Sequence, residues 1–171
     1  NKVSLTWLSA KKNLDGWRHN RIYELLKPII QIDKSKKWVT VGDGRYGTDA
    51  HALLKMGAKD VLSTDISDIL LKKGFEAGFI TKYSAENGEK LSFNDNEFDF
   101  VLCKEAAHHF PRPYLALYEM LRVCKIGVVS IEPNDSVIDS KPLGFIIPSV
   151  KKILGQKANK DRHEFENVGN Y

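Results

Sequence analysis

The sequence of 171 residues contains little cysteine and has no long apolar run. Its two cysteines, Cys103 and Cys124, show neither CxxC nor Cys/His ligand spacing, which argues against a disulfide framework and a zinc site. No apolar stretch approaches the roughly 18 residues that a membrane span requires, and the first residues lack the apolar segment of a secretory signal. These absences predict a soluble, cytoplasmic protein with no transmembrane segment and no metal site.

The positive charge of the chain is concentrated in one short segment. Residues 151–162 contain five basic side chains and one aspartate, and their net charge of +4 equals that of the whole chain. The charges of the remaining residues therefore sum to zero. A nucleic-acid interface needs basic charge spread over a face of the fold. The distribution therefore argues against a nucleic-acid partner and favours a small-molecule substrate. The length suits one domain rather than separate cofactor and substrate lobes.

Short apolar runs alternate with helical patterns along the chain. A helix is predicted from Asp15, with Pro28 as its break, and Trp17 has the spacing of a core residue. Strands are predicted at 38–41, 61–64, 80–84, 98–103 and 128–132, with helices between them. Nearly continuous apolar strands between helices predict an α/β fold with a mostly parallel sheet covered on both faces.

The first predicted strand runs directly into a glycine-rich loop. Gly42, Gly44 and Gly47 form the pattern GxGxxG before the next helix, where the backbone can approach a ligand and the helix offers unpaired N–H groups. Asp65 ends the second strand 18 residues after Gly47, where a carboxylate can accept hydrogen bonds from ribose hydroxyls. The alternative is that Asp65 caps the next helix.

Four segments resemble the motifs of class I S-adenosylmethionine-dependent methyltransferases of the small-molecule, type 11 group. They are VTVGDGRYG, STDIS, AENGEKLSFNDNEFDFVLCKEAAHHF and LALYEMLRVCKIG, in this order and spacing. The resemblance covers about residues 38–132 and is most specific over 91–110. It implies a Rossmann-like, doubly wound fold, S-adenosyl-L-methionine as the cofactor, and methyl transfer to a small molecule.

The resemblance also implies roles for individual residues. Gly42, Asp43 and Gly44 would line the methionine part of the cofactor, Asp65 would hold the ribose, and Ile66 would flank the adenine.

Three further positions receive roles in the same way. Asn87 and Gly88 correspond to the step that meets the adenine edge, although an alignment gap would move this role to Ala85 and Glu86. Lys104 lies where the backbone of the family passes the sulfonium.

Two positions in the glycine loop depart from the family pattern. Thr40 replaces the usual acidic residue two positions before the first glycine, which weakens an expected contact to the cofactor's amino group. Tyr46 replaces a glycine, so the loop must accommodate a bulky side chain or point it outward.

Candidate bases for a hydroxyl acceptor follow the fourth strand. They are His109, His108 and Glu105, and we expect His109 to face the acceptor. The alternative is structural: either histidine caps or packs, and Glu105 pairs with Lys104 or Arg112. Trp7, Trp17, His19 and Tyr23 are candidates for an aromatic wall of the acceptor pocket.

Two other functions remain open on the sequence. The glycine pattern and Asp65 also fit a nicotinamide oxidoreductase, and a non-catalytic binding protein could keep the methyltransferase fold.

We divide the single domain into an N-terminal helical cap at 1–37, a cofactor-binding core at 38–132, and a lid or substrate-framing insertion at 133–171. The apolar stretch 142–156 is interpreted as a lid, with a homodimer contact or weak peripheral contact with lipid as alternatives. No convincing pair of strands follows residue 132, so the C-terminal strands of the family are expected to be missing.

Overall fold

The computed structural model describes residues 14–133, with side chains from residue 16 onward. Trp7, the stretch 142–156 and the basic segment 151–162 lie outside the described residues.

Helices and strands alternate along the described chain. Two helices come first, α1 (Leu14–Glu24) and α2 (Lys27–Ile32). The alternating part then consists of β1 (Lys37–Val41), α3 (Thr48–Lys55), β2 (Asp60–Asp65), α4 (Ile69–Glu76), β3 (Tyr83–Ala85), β4 (Phe98–Lys104), a 3-10 turn (Ala107–His109), α5 (Pro113–Val123) and β5 (Cys124–Ile131).

The five strands form one parallel sheet in the order β3-β2-β1-β4-β5. This confirms the predicted parallel, Rossmann-like sheet. The chain runs outward from β1 to β3 and then crosses back to β4 on the other side of β1. Such a switch leaves a crevice at the carboxyl ends of the central strands, where ligands bind in open α/β sheets.

Alternating residues of the strands supply two separate apolar cores. Trp38 of β1 and Leu102 of β4 belong to one core, which α1, α2 and α3 cover. Val39 and Val101 belong to the other, which α5 covers through Met120 and its neighbours. Because successive strand residues point to opposite faces, the two cores lie on opposite sides of the sheet.

Two details of the N-terminal helices differ from the sequence prediction. Pro28 lies in the first turn of α2, where its missing N–H removes no helical hydrogen bond, so it begins a helix rather than ending one. Trp17 is 57% exposed and lies under the guanidinium of Arg21, 5.1 Å from the ring centre, so its assignment to the core is wrong. Within residues 14–133, no helix has the length and apolar character needed to cross a membrane.

Candidate functional site

A cavity of about 1230 Å³ lies at the carboxyl edge of the sheet. It exceeds the roughly 300–1,000 Å³ of a pocket for one small ligand, so it has room for a cofactor and an acceptor. Of the residues named as site candidates from the sequence, it brings together His19, Tyr23, Gly42, Asp43, Gly44, Asp65, Ile66, Glu86, Asn87, Gly88, Lys104, Glu105 and His109. His108 and Ala85 are not part of its wall.

Two glycines of the loop after β1 sit where a side chain would collide. A Cβ on Gly42 would lie 2.5 Å from the Cβ of Ala106, and Gly42 has a left-handed backbone with φ of +80°. A Cβ on Gly44 would lie 2.7 Å from Oδ2 of Asp65. The absence of a side chain therefore lets Gly42 pack against Ala106 and lets Gly44 lie beside the Asp65 carboxylate.

Asp43 is only 2% exposed, and its carboxylate fixes the loop from beneath. Its Oδ1 accepts a hydrogen bond from the Asp49 N–H at 3.0 Å, and its Oδ2 accepts one from the Ala50 N–H at 2.9 Å. The hydroxyls of Thr40 and Ser63 also donate to Oδ2, at 2.9 and 2.8 Å. The carboxylate therefore links the start of α3 to β1 and β2. The Thr40 side chain hydrogen-bonds to Asp43 and does not face the cavity.

Asp43 and Asp49 form a buried pair of carboxyl groups. Burial and the charge of Asp49 raise the pKa of Asp43 to about 8, while the N–H donors of Asp49 and Ala50 act in the opposite direction. Burial also raises the pKa of Asp49, although Lys104 and Tyr23 oppose this. The negative charge of Asp49 therefore disfavours ionisation of the Asp43 carboxyl group.

Asp65 ends β2 with one carboxylate oxygen bound locally. Its Oδ1 accepts a hydrogen bond from the Ser67 N–H at 3.1 Å. The next helix begins at Ile69 with Asp68 in the capping position, so Asp65 is not the cap of that helix. Ile66 follows on the cavity wall and is 77% exposed. A large apolar side chain left open to a cavity offers a flat ligand a surface to cover.

The residues considered for contact with the adenine edge lie at the end of β3 and in the loop after it, and Glu86 and Asn87 differ in their hydrogen bonds. The carboxylate of Glu86 is bound by Ser92, through its N–H at 3.0 Å and its hydroxyl at 2.7 Å. Oδ1 of Asn87 accepts from the Glu89 N–H at 2.9 Å, while its amide NH₂ makes no hydrogen bond to another described residue. The geometry thus leaves Asn87, rather than Glu86, with free donors on the cavity wall.

Phe110 explains why Gly88 is a glycine. A Cβ on Gly88 would lie 3.1 Å from Cζ of Phe110 and 3.2 Å from Cγ1 of Val41. The same ring atom of Phe110 would be 3.7 Å from a Cβ on Gly42. Phe110 therefore packs against two of the predicted cofactor-binding glycines and joins their loops to the segment after β4.

Lys104, at the end of β4, has its side chain 5% exposed inside a polar cluster. Its ammonium lies 3.1 Å from Oε2 of Glu105, 3.8 Å from Oδ1 of Asp49, and 5.3 Å from the ring centre of Tyr23. The Tyr23 hydroxyl donates a short hydrogen bond to Asp49. This cluster ties α1, α3 and β4 together at the edge of the cavity.

Glu105 has a left-handed backbone, with φ of +52°, which is uncommon outside glycine and typical of functional segments. Partial burial raises the pKa of its carboxyl, but Lys104, His19 and Arg18 outweigh that effect and hold the pKa below its usual value. Glu105 is therefore ionised at neutral pH and surrounded by cations. Such a carboxylate is a weak base, which favours its structural interpretation.

The two histidines after β4 differ in their surroundings. His109 lines the cavity, whereas His108 lies outside its wall, with Nδ1 at 2.6 Å from Oε2 of Glu132. Their rings are 4.0 Å apart. Burial and the neighbouring His108 lower the pKa of His109, so His109 is neutral at pH 7 and able to accept a proton.

Two residues of the site, Asp49 and Glu132, escaped the sequence analysis, and a third, Tyr46, was left with two alternatives. Tyr46 is 2% exposed, so it is accommodated in the fold rather than pointed outward. Asp49 in the first turn of α3 has the position of an ordinary acidic residue at a helix N-terminus. Glu132 follows β5 beside the end of β4, and no local sequence signal identifies it because its partner His108 lies 24 residues earlier in the chain.

Comparisons with known proteins agree with this architecture. The sequence profile of the family described as "Methyltransferase domain" matches residues 22–131, more than half of the chain. An uncharacterised protein of Mycobacterium bovis is 33% identical over 100 residues, covering 54% of this chain and 35% of the relative. The chain thus spans about a third of the length of the curated relatives it matches.

Two solved structures share the fold. A protein of Bacillus halodurans described as a methyltransferase has a TM-score of 0.58 and 26% identity, covering 76% of this chain and 58% of its own. The trans-methyltransferase CalH, in complex with S-adenosylhomocysteine, has a TM-score of 0.50 and 18% identity, covering 60% and 33%. From its sequence and its fold, the chain belongs to the methyltransferase domain family of class I S-adenosylmethionine-dependent methyltransferases.

Proposed function

We propose that this domain binds S-adenosyl-L-methionine and transfers its methyl group to a small-molecule acceptor by in-line displacement. The observation that carries the proposal is the single cavity lined by the glycine loop, Asp65, Ile66 and His109. It joins groups suited to a nucleoside cofactor with a neutral histidine that can act as a base. The complex of CalH with S-adenosylhomocysteine supports the same cofactor for this fold.

The residues present fit this cofactor. Gly42 and Gly44 both line the cavity without a side chain, so their backbone is open to close approach by the methionine part. Asp65 has two carboxylate oxygens with which to accept hydrogen bonds from the ribose hydroxyls, and the exposed Ile66 can cover the adenine. The free NH₂ of Asn87 can donate to a ring nitrogen of the adenine, next to the backbone of Gly88.

The bound cofactor supplies a methyl group activated by a sulfonium sulfur. The protein aligns the acceptor with that methyl group and excludes water, and such positioning can contribute about 7 kcal/mol or more. When the acceptor is a hydroxyl, neutral His109 takes its proton as the oxygen gains the methyl group. His109 then returns the proton to solvent. Glu105 and Lys104 hold the end of β4 in place.

Calorimetric titration with S-adenosylhomocysteine and with NAD tests the cofactor. We expect saturable binding of S-adenosylhomocysteine and none of NAD, because the cavity offers one nucleoside site built on Asp65 and Asn87. Binding of NAD alone would overturn the proposal in favour of an oxidoreductase. Binding of S-adenosylhomocysteine without methyl transfer in a screen of metabolites, sugars and lipid precursors would favour a non-catalytic binding protein.

Replacing His109 with alanine should lower kcat for a hydroxyl acceptor about 100-fold or more, the usual contribution of a general base. The affinity for S-adenosylhomocysteine should change less than about twofold, because the acceptor and not the cofactor loses a partner. Full turnover in the His109→Ala variant, with cofactor binding intact, would show that His109 is not the base.

The pH dependence of that reaction gives a second test of His109. Since burial and His108 lower its pKa from the ordinary value of 6.5, the neutral, proton-accepting form persists at pH 6.5 and is lost only in more acidic solution. The acid limb of the pH profile of kcat should therefore have its midpoint below pH 6.5. An acid-limb midpoint above pH 6.5 would contradict the assignment.

A further inference from the structure

Glu132 is the first residue after β5, and it reaches across to the segment that follows β4. The two strands end side by side, with Lys104 opposite Ile131, and the Glu105 N–H continues the ladder by donating to the Ile131 carbonyl at 2.7 Å. Glu132 therefore leaves the sheet beside the turn that carries the two histidines, at the carboxyl edge where the cavity lies.

Both carboxylate oxygens of Glu132 are bound to that turn. Oε1 accepts a hydrogen bond from the Ala107 N–H at 3.0 Å, and Oε2 lies 2.6 Å from Nδ1 of His108. The residue before the turn, Ala106, has no side chain able to cap it. Glu132 thus supplies, from another strand, the acceptor that the first N–H of the turn would otherwise lack.

This bidentate contact determines the position of His109. The turn is closed by the His109 N–H, which donates to the Ala106 carbonyl at 3.0 Å. The His109 ring rests against the His108 ring, with 4.0 Å between the centres and 47° between the planes. The Glu132 carboxylate binds both the Ala107 N–H and the His108 ring. It therefore holds the backbone of the turn and the ring against which His109 packs.

The charges around His109 come from three parts of the fold. His108 faces it from the same turn, Glu132 from the end of β5, and Arg45 from the loop after β1. Burial, His108 and Arg45 lower the pKa of His109, and Glu132 is the group that raises it. The carboxylate acceptor also requires Nδ1 of His108 to carry the hydrogen, which fixes the tautomer of that ring.

We propose that Glu132 is a positioning residue for proton transfer at the acceptor side of the site, acting through the Ala107 N–H and His108 on the turn that presents His109. This inference rests on the proposed function only in assigning proton transfer to the turn. The contact itself can be tested in the free protein.

The test is a histidine titration of the full chain by NMR, in the wild type and in the Glu132→Gln variant. Glutamine keeps the size and one acceptor oxygen for the Ala107 N–H, but it removes the charge. We expect the titration midpoint of His109 to move to lower pH, because the one group that raises the pKa of His109 is neutralised. Calorimetry should give an unchanged affinity for S-adenosylhomocysteine, whose proposed contacts lie elsewhere on the cavity wall.

Glu97→Gln is the matched control. Glu97 also binds a backbone N–H of a turn, that of Asn94 at 2.8 Å, but at the opposite end of β4. The midpoint of His109 should equal the wild-type value in this variant. An unshifted midpoint in folded Glu132→Gln would overturn the inference, as would an equal shift in both variants.

A measurement on the wild type covers the case in which Glu132→Gln does not fold. Nitrogen chemical shifts of neutral His108 should show the hydrogen on Nδ1, and the Nε2–H tautomer would overturn the inference. Failure of the proposed function has a different signature, since it would appear as no binding of S-adenosylhomocysteine by the wild-type chain.

Discussion

Replacing Asp65 with alanine should weaken the binding of S-adenosylhomocysteine about 100-fold. Hydrogen bonds to a charged group contribute about 1.5–3 kcal/mol each, and Asp65 can accept two from a ribose. A loss of about 3 kcal/mol, the lower end for two such bonds, corresponds to a factor of roughly 100–200 in the dissociation constant. Gly44 leaves room for this carboxylate, because a Cβ at position 44 would lie 2.7 Å from Oδ2 of Asp65. Calorimetric titration of the variant measures the effect directly.

Asp68→Ala is the control for this prediction. Asp68 is an exposed carboxylate three residues further on, it is not part of the cavity wall, and its side chain makes no capping hydrogen bond. Its removal should leave the affinity unchanged. If Asp65→Ala bound S-adenosylhomocysteine as tightly as Asp68→Ala, Asp65 would be only a partner of the Ser67 N–H, and the ribose role would be lost.

Replacing Asp43 with alanine should lower the free energy of unfolding by about 3–5 kcal/mol. The substitution leaves two N–H groups and two hydroxyls in a buried position without this acceptor, and each buried donor left unpaired costs about 1–3 kcal/mol. Removal of a carboxyl group that is itself costly to bury offsets part of this loss. A domain of this size is stable by about 5–15 kcal/mol, so the variant would approach unfolding at room temperature. Urea denaturation followed by circular dichroism provides the measurement.

Asp33→Ala provides the comparison for Asp43→Ala. Asp33 also accepts a backbone N–H and a hydroxyl, both from Ser35, but in an exposed turn where water replaces the lost acceptor. Its stability loss should be small beside that of Asp43→Ala. Similar losses in the two variants would mean that the hydrogen bonds beneath the glycine loop do not stabilise the fold.

The sequence was sufficient for the fold and for bringing most of the candidate residues to one cavity. Apolar strands of the right length predicted the parallel sheet, and the carboxyl ends of neighbouring parallel strands had to meet at one edge, which brings Gly42 and Asp65 together. Local spacing carries this information because strand and loop follow each other directly in the chain.

The role of Asp43 could not be read from local spacing. Its place in the loop is that of a ligand contact. Its buried carboxyl group instead has a hydrogen-bond partner, the Ser63 hydroxyl, on another strand. Glu132 presents the same difficulty, since its partner turn lies 24 residues earlier in the chain. The prediction that Pro28 breaks a helix was wrong for a different reason, because proline is compatible with the first turn of a helix as well as with its end.

The hydrogen bonds that Asp43 accepts from the start of α3 affect the rate at which the cofactor binds. A loop held to the sheet by buried bonds is already ordered before a ligand arrives, so binding need not wait for the loop to fold and loses little conformational entropy there. Association with S-adenosylhomocysteine should then follow a single exponential, with a rate proportional to ligand concentration and no plateau.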